Sequence, residues 1–321
     1  MKKLARFIPL LLLLFYLPQS VSAARMLVPV GRVVGLELGN DRVYVAGFDE
    51  EVGEQTQAAG LRIGDELIQI DNVTVRSPED VKEALDHARG SVAVRIRRGD
   101  EERTLRLTPG ISADGPRLGI YLRRGVTGIG TVTWYDPETM TFGALGHGVN
   151  GVDGNLIEMV SGNAYEARIR SVRRGRVGQP GQLLGTITDP DPLGELTRNT
   201  VRGIFGTCED GWEGGSLATG EAGEVRPGGA TILSTVAGGE PREYSVEILK
   251  IYADGEESGR NLLLRITDPV LLEQTGGIVQ GMSGSPIIQD GKLVGAVTHV
   301  LVNDPTTGYG IFIENMLDAA A

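Results

Sequence analysis

The chain has 321 residues, 40% of them hydrophobic, with 47 glycines and a net charge of −11. That length allows about two domains with sizeable cores, and the acidic balance argues against a nucleic-acid partner. One cysteine, Cys208, excludes an internal disulfide and reads as a small buried apolar residue. The three histidines, His87, His147 and His299, are not spaced as a metal pair, so neither metal nor cofactor is predicted.

At the N-terminus, Lys2, Lys3 and Arg6 precede an apolar run over residues 7–17, and Val21-Ser22-Ala23 follows with small residues. Residues 1–24 thus read as a signal peptide or N-terminal membrane anchor. The apolar run is shorter than the roughly 20 residues that span a bilayer. Export without disulfides fits a bacterial extracytoplasmic space.

Residues 30–48 carry two alternating apolar runs separated by Gly39-Asn40-Asp41, which reads as a turn. Ala59-Gly60-Leu61 and Gly64-Asp65-Glu66-Leu67-Ile68-Gln69-Ile70 follow. Ser77-Pro78-Glu79-Asp80 has the order of a helix start: a capping serine, proline in the first turn, acids at the positive dipole end. Val81, Ala84, Leu85 and Ala88 give that helix one apolar face. Val92, Val94 and Ile96, then Leu105 and Leu107, alternate along two strands joined at Gly99-Asp100. Residues 32–108 resemble a PDZ domain, which implies binding of an extended peptide at a sheet edge. Val34, Gly35, Leu36 and Glu37 are the expected contacts of the peptide's carboxylate. Residues 25–110 are assigned to this domain, with a Pro/Gly linker up to Arg117.

The remainder, 117–321, is rich in short strands and Gly/Pro turns. Arginines at 95, 97 and 98, and at 168, 170, 173, 174 and 176, alternate with apolar residues and read as wet strand faces. Phe142-Gly143-Ala144-Leu145 leads into Gly146-His147-Gly148. His147 there is either a catalytic base reaching a cleft or a residue chosen for a left-handed turn. Ile-Thr-Asp-Pro occurs at 187–190 and again at 266–269, which hints at two related halves.

Gly281-Met282-Ser283-Gly284-Ser285-Pro286 is a small-residue loop with serine at its tip, leading into the alternating apolar strand IIQDGKLVGAV. Its glycines let N–H groups converge beside the hydroxyl, the geometry of an oxyanion hole formed by Gly281 and Ser283. The loop resembles the GDSGGP loop of trypsin-like serine peptidases, and TGYGIFIENML resembles their last strand and terminal helix. A serine nucleophile needs a base, and the base an orienting group. His147 supplies the first. Spacing leaves the second open between Asp189 and Asp268.

The whole run, from the signal through the PDZ-like segment to GALGHG and TGGIVQGMSGSP, resembles the stage IV sporulation protein B peptidase family of endospore-forming bacteria. That resemblance implies a mainly β chain, a PDZ domain followed by a chymotrypsin-like double β-barrel peptidase. It also implies a triad of His147, Asp268 and Ser283. The implied biology is export across the forespore inner membrane into the intermembrane space. There the enzyme would process itself and cleave the extracytoplasmic part of a membrane-bound inhibitory complex, which activates a late mother-cell sigma factor in sporulation. A general envelope quality-control protease is the alternative enzyme, and a non-catalytic PDZ scaffold the alternative of another class. His299 reads as a cleft wall or a plain strand residue.

Overall fold

The computed structural model describes residues 24–112, 115–151, 154–252 and 259–321. The expected signal or anchor segment lies outside the described residues, apart from Ala24.

β1 (Met26–Pro29) is followed by one 16-residue strand, β2 (Val33–Phe48). The expected turn at Gly39-Asn40-Asp41 is instead a register shift inside β2, between Leu38 and Val43. Asn40 stabilises it by accepting the Arg42 N–H through its side chain. β3 (Glu66–Ile70), β4 (Val73–Thr74), β5 (Val92–Arg98) and β6 (Glu101–Leu107) continue the sheet from the second half of β2. Between them lies the helix Pro78–Asp86, started by a full capping box in which Ser77 and Asp80 bond each other's backbone N–H. Its Val81, Ala84 and Leu85 close a small core with Leu67, Ile70, Val94, Ile96 and Leu107. Most of the expected linker forms a short hairpin, β7 (Gly110–Ser112) with β8 (Gly115–Arg117).

β9 (Ile120–Asp136) runs antiparallel to β2 along most of its length. Gly125 lets the two approach: its φ is +69°, and a Cβ there would stand 1.6 Å from the Leu38 carbonyl oxygen. This β2–β9 ribbon crosses from the PDZ-like core into a second body. β10 (Thr141–Ala144), β11 (Ser161–Arg173), β12 (Gln182–Thr200) and β13 (Gly203–Thr207) complete that body. The pairings β9–β10, β10–β13, β13–β12, β12–β11, β11–β2 and β2–β9 return to their start, a ring of six strands. Val34, Leu36, Leu38, Val132, Phe142, Ala164, Leu196 and Ile204 fill it. Cys208 is buried in the same core, as expected of a small apolar side chain.

β14 (Leu217–Ala218) pairs with β1. β15 (Gly228–Ser234), β16 (Arg242–Ile251), β17 (Leu262–Ile266), β18 (Pro286–Gln289), β19 (Lys292–Leu301) and β20 (Asp304–Phe312) then close a six-stranded barrel. β18 and β19 join at Asp290-Gly291, both left-handed, as a two-residue hairpin requires. Ile232, Val246, Ile248, Leu264, Ile287 and Val297 form its core. Trp134, Phe205, Ala296 and Ile311, with Met316 of the terminal helix Ile313–Ala320, seal the space between the barrels. The chain is mainly β, a small sheet-and-helix body joined to two six-stranded barrels.

Candidate active site

Between the two six-stranded bodies lies a cleft of about 790 Å³. One wall is Ile129, Leu145, His147 and Gln182–Gly185; the other is Ile278–Gly281, Ser283 and Thr298–Val300. Ser283 and His147, 136 positions apart in the chain, both face it.

Backbone hydrogen bonds hold the two together. Gly284 N–H donates to the Val297 carbonyl at 2.7 Å, seating the serine loop on β19. Thr131 N–H donates to the Ser283 carbonyl at 3.2 Å, and the Thr131 carbonyl accepts Leu145 N–H at 3.2 Å, two residues before His147. The buried Thr131 hydroxyl donates to the Gly281 carbonyl at 2.8 Å. Thr131 thus ties the serine loop to the histidine strand through three of its polar groups. A Thr131→Val chain keeps the shape and loses the hydroxyl, leaving the Gly281 carbonyl short of a partner. A loss of about 1–3 kcal/mol is expected, read as a fall in denaturation midpoint with a fall in cleavage rate. Equal midpoints would show that Thr131 adds nothing through that hydroxyl.

Leu145 and Gly146 adopt φ of +68° and +69°, which swings the next residue into the cleft. The left-handed conformation expected of His147 under the turn reading belongs to these two neighbours instead. A leucine held there costs about 1–2 kcal/mol, strain of the kind that collects at working sites.

His147 Nδ1 lies 2.8 Å from the Gly148 carbonyl oxygen. A carbonyl can only accept, so the proton sits on Nδ1 and Nε2 carries the free lone pair. Burial pushes the His147 pKa below the ordinary value, against a smaller opposing pull from that bond. His299 lies beside it, ring centroids 5.1 Å apart. Its pKa falls to about 4, first through burial and then through the neighbouring His147 and Arg260. Its Nδ1 and the Thr298 hydroxyl are buried without hydrogen-bond partners. Both rings are therefore neutral at pH 7. Ser283 Oγ–H donates to the Thr298 carbonyl at 2.7 Å. Among the described residues, neither the Gly281 N–H nor the Ser283 N–H is given to an acceptor, whereas the intervening Met282 N–H is bonded to Val279. The two free donors flank the serine.

The expected acid is elsewhere. Asp268 caps the helix Pro269–Thr275, its Oδ1 accepting Val270 and Leu271 N–H at 3.0 Å each. It does not line the cleft. Asp189 is exposed on β12, accepting Asp191 N–H at 3.0 Å. Among the described residues no carboxylate bonds to His147, and the Gly148 carbonyl occupies the position of the orienting group. The two Ile-Thr-Asp-Pro copies also part here, one inside a strand and the other ending at a helix start.

Val34, Gly35, Leu36 and Glu37 are placed differently from expectation as well. Both edges of that stretch are paired, with Thr127–Gly130 of β9 on one side and Asn163–Glu166 of β11 on the other. No peptide can add there. On the PDZ side, Ile120–Arg124 pairs with β2 along one edge only among the described residues, directly after the left-handed Gly119. The other open strand, β6, carries Glu101, Glu102, Arg103 and Arg106, charges of the kind that blunt edge pairing. The segment Leu118-Gly119-Ile120, glycine before an apolar strand, was the legible signal for the first edge.

A family model described as SpoIVB peptidase S55 matches residues 115–317, and a PDZ domain model matches residues 52–98. The chain belongs to the SpoIVB peptidase family. It is a serine peptidase. Among solved structures it is similar to the Rv3671c protease in an inactive form, at 14% identity and a TM-score of 0.35, over 61% of this chain and 85% of that one. A serine-to-alanine variant of Rv3671c from M. tuberculosis H37Rv, also inactive, matches at 16% identity and 0.34, over 61% and 82%. No curated protein matches the chain.

Proposed function

We propose that this SpoIVB-family peptidase is an endopeptidase with Ser283 as nucleophile, His147 as base and the N–H groups of Gly281 and Ser283 as oxyanion donors. The supporting observation is their convergence on one cleft with both donors unengaged. Ser283 Oγ leaves the Thr298 carbonyl, turns toward His147 and attacks the substrate carbonyl carbon. Its proton passes to His147 Nε2, and the oxyanion falls to the two N–H groups. Collapse breaks the C–N bond, the proton goes to the leaving amine, and water removes the acyl group by the same route. The Gly148 carbonyl holds the ring in this tautomer. Asp268, which the resemblance implied as third member, serves as a helix cap.

The substrate is read as the extracytoplasmic part of a membrane-bound inhibitory complex in sporulation signalling, with the enzyme exported across the forespore inner membrane and processing itself. Family membership and the export-type N-terminus support this reading. The PDZ edge at Ile120–Arg124 suits an extended segment of the substrate or of the chain's own N-terminus.

A fluorophosphonate reagent, which phosphonylates an activated serine and expels fluoride, tests the chemistry. The folded chain is expected to be labelled, and Ser283→Ala not at all. The neutral imidazole is the base, and a lowered pKa keeps it neutral into more acid solution. The labelling rate is therefore expected to fall in acid with a midpoint below pH 6.5. A fall centred at or above 6.5 would contradict the buried, carboxylate-free setting of His147. Absence of labelling in folded protein would sink the peptidase mechanism itself.

A further inference from the structure

Residues 167–187 contain five arginines (168, 170, 173, 174 and 176) and no aspartate or glutamate, in a chain whose net charge is −11. They form the paired ends of β11 and β12 and the turn between them. All five arginines are exposed. Arg170, Arg173 and Arg174 bond only neutral groups, the Thr186 hydroxyl, the Gln182 side chain and the Leu272 carbonyl. Among the described residues none of the five is in an ion pair. Glu240, which follows the Gly239 that abuts the Arg168 side chain, is already paired with Arg32.

Position gives this charge its meaning. Gln182, opposite Arg173 and bonded to it, begins the run Gln182–Gly185 that walls the catalytic cleft. A chain leaving the cleft on that side passes the arginines. A hollow of about 430 Å³, bounded by Arg168, Ile169, Arg170, Thr188 and Gly238, opens beside them. A concave pocket with two unpaired guanidinium groups fits a carboxylate side chain, which Arg can hold bidentately. A flat anionic membrane would not use it.

We propose that the outer face of the β11–β12 hairpin binds an aspartate- or glutamate-rich segment of the protein substrate as it runs out of the cleft. This site builds on the peptidase reading for its purpose, but its test needs no turnover. Full-length chain carrying Ser283→Ala is titrated with fluorescein-labelled octaglutamate, with octalysine, and with phosphatidylcholine vesicles containing phosphatidylglycerol. Octaglutamate is expected to bind, more weakly as salt rises because the contacts are exposed charges; octalysine is not, and any vesicle binding through the apolar N-terminal run is expected not to depend on the arginines. Arg168→Glu, Arg170→Glu and Arg173→Glu together are expected to weaken octaglutamate binding at least tenfold, and the corresponding glutamine triple to weaken it less. Arg62→Glu, Arg95→Glu and Arg106→Glu together change the net charge equally on exposed PDZ-side arginines and are expected to leave binding in place. Circular dichroism confirms that each variant is folded. No octaglutamate binding, equal loss in both glutamate triples, or arginine-dependent binding of the vesicles instead of the peptide would each overturn the proposal. Failure of fluorophosphonate labelling would leave this binding result standing, so the two readings fail separately.

Discussion

Ser283→Ala and His147→Ala are each expected to lower peptide-bond cleavage about 10⁴-fold or more, with far-ultraviolet dichroism and unfolding midpoint close to those of the parent chain. Loss on this scale follows when either member of a nucleophile–base pair is removed, because the pair acts as one unit. The fold is spared because Ser283 Oγ–H donates to one carbonyl in an open cleft, and His147 Nδ1–H to the carbonyl of its own neighbour. The decisive comparison is Asp268→Asn. A true orienting aspartate loses about 10⁴-fold on that change, since the histidine tautomer is reversed. Here both groups of bonds made by Asp268 come from backbone N–H, and asparagine caps a helix about as well. Activity and stability are therefore expected to stay near the parent values, while Asp268→Ala costs about 1 kcal/mol of stability. The readout is a time course on a gel beside a thermal melt. Full inactivation of a normally stable Asp268→Asn chain would restore the aspartate to the triad and displace the Gly148 carbonyl from its role.

Local chemistry explains which parts of this arrangement were legible in the sequence. Ser283 and His147 stand out because each sits among glycines at the end of an apolar strand, a pattern that serves exposure more than packing. The Ser77 cap and the terminal strand and helix are equally local, and the structure keeps them. Pairing over long distances is another matter. The alternation in Val34-Gly35-Leu36-Glu37 announces a strand but not its neighbours, and those come from residues about 90 and 130 positions away. Neither did the alternation tell a turn at Gly39-Asn40-Asp41 from a register shift within one strand, because the same polar residues suit both. Asp268 is a different lesson. Resemblance made it the acid where spacing left it open against Asp189, yet Asp268-Pro269 ahead of an apolar turn and Gly276 is also the order of a helix cap, first-turn proline and left-handed C-cap. The backbone used that signal.

Acid also reaches the fold through the cleft. Below pH 6.5 the unfolded chain protonates its histidines, whereas the folded chain refuses the proton on His299 until about pH 4. The unfolded state then binds more protons, so stability declines as pH falls through that window. The same burial that holds the base neutral makes the cleft a weak point under acid conditions.

Gly284→Ala is expected to be the most damaging single change near the site that touches no reacting atom. Gly284 has a φ of +96°, and a Cβ there would stand 2.0 Å from the Thr131 carbonyl oxygen and 2.6 Å from Leu145 N. The left-handed backbone alone costs about 1–2 kcal/mol for a residue with a Cβ. The contact adds to this, because both atoms belong to backbone that cannot rotate away. They are also the two ends of the hydrogen bond by which Thr131 carries the serine loop to the histidine strand. The loop must therefore lift, opening the distance between Ser283 and His147. A displacement near 1 Å at a reacting group costs about 10²-fold in rate. Gly291→Ala supplies the control, since that hairpin glycine is also left-handed, at φ +76°, but has open space where the Cβ would go. Gly291→Ala is expected to lose stability by the backbone amount only and to keep its activity. Gly284→Ala is expected to melt lower still and to lose at least 10²-fold in both cleavage and fluorophosphonate labelling. If the two variants melt and cleave alike, the serine loop is not held against the histidine strand through Thr131, and the means by which the fold brings these distant residues together must be sought elsewhere.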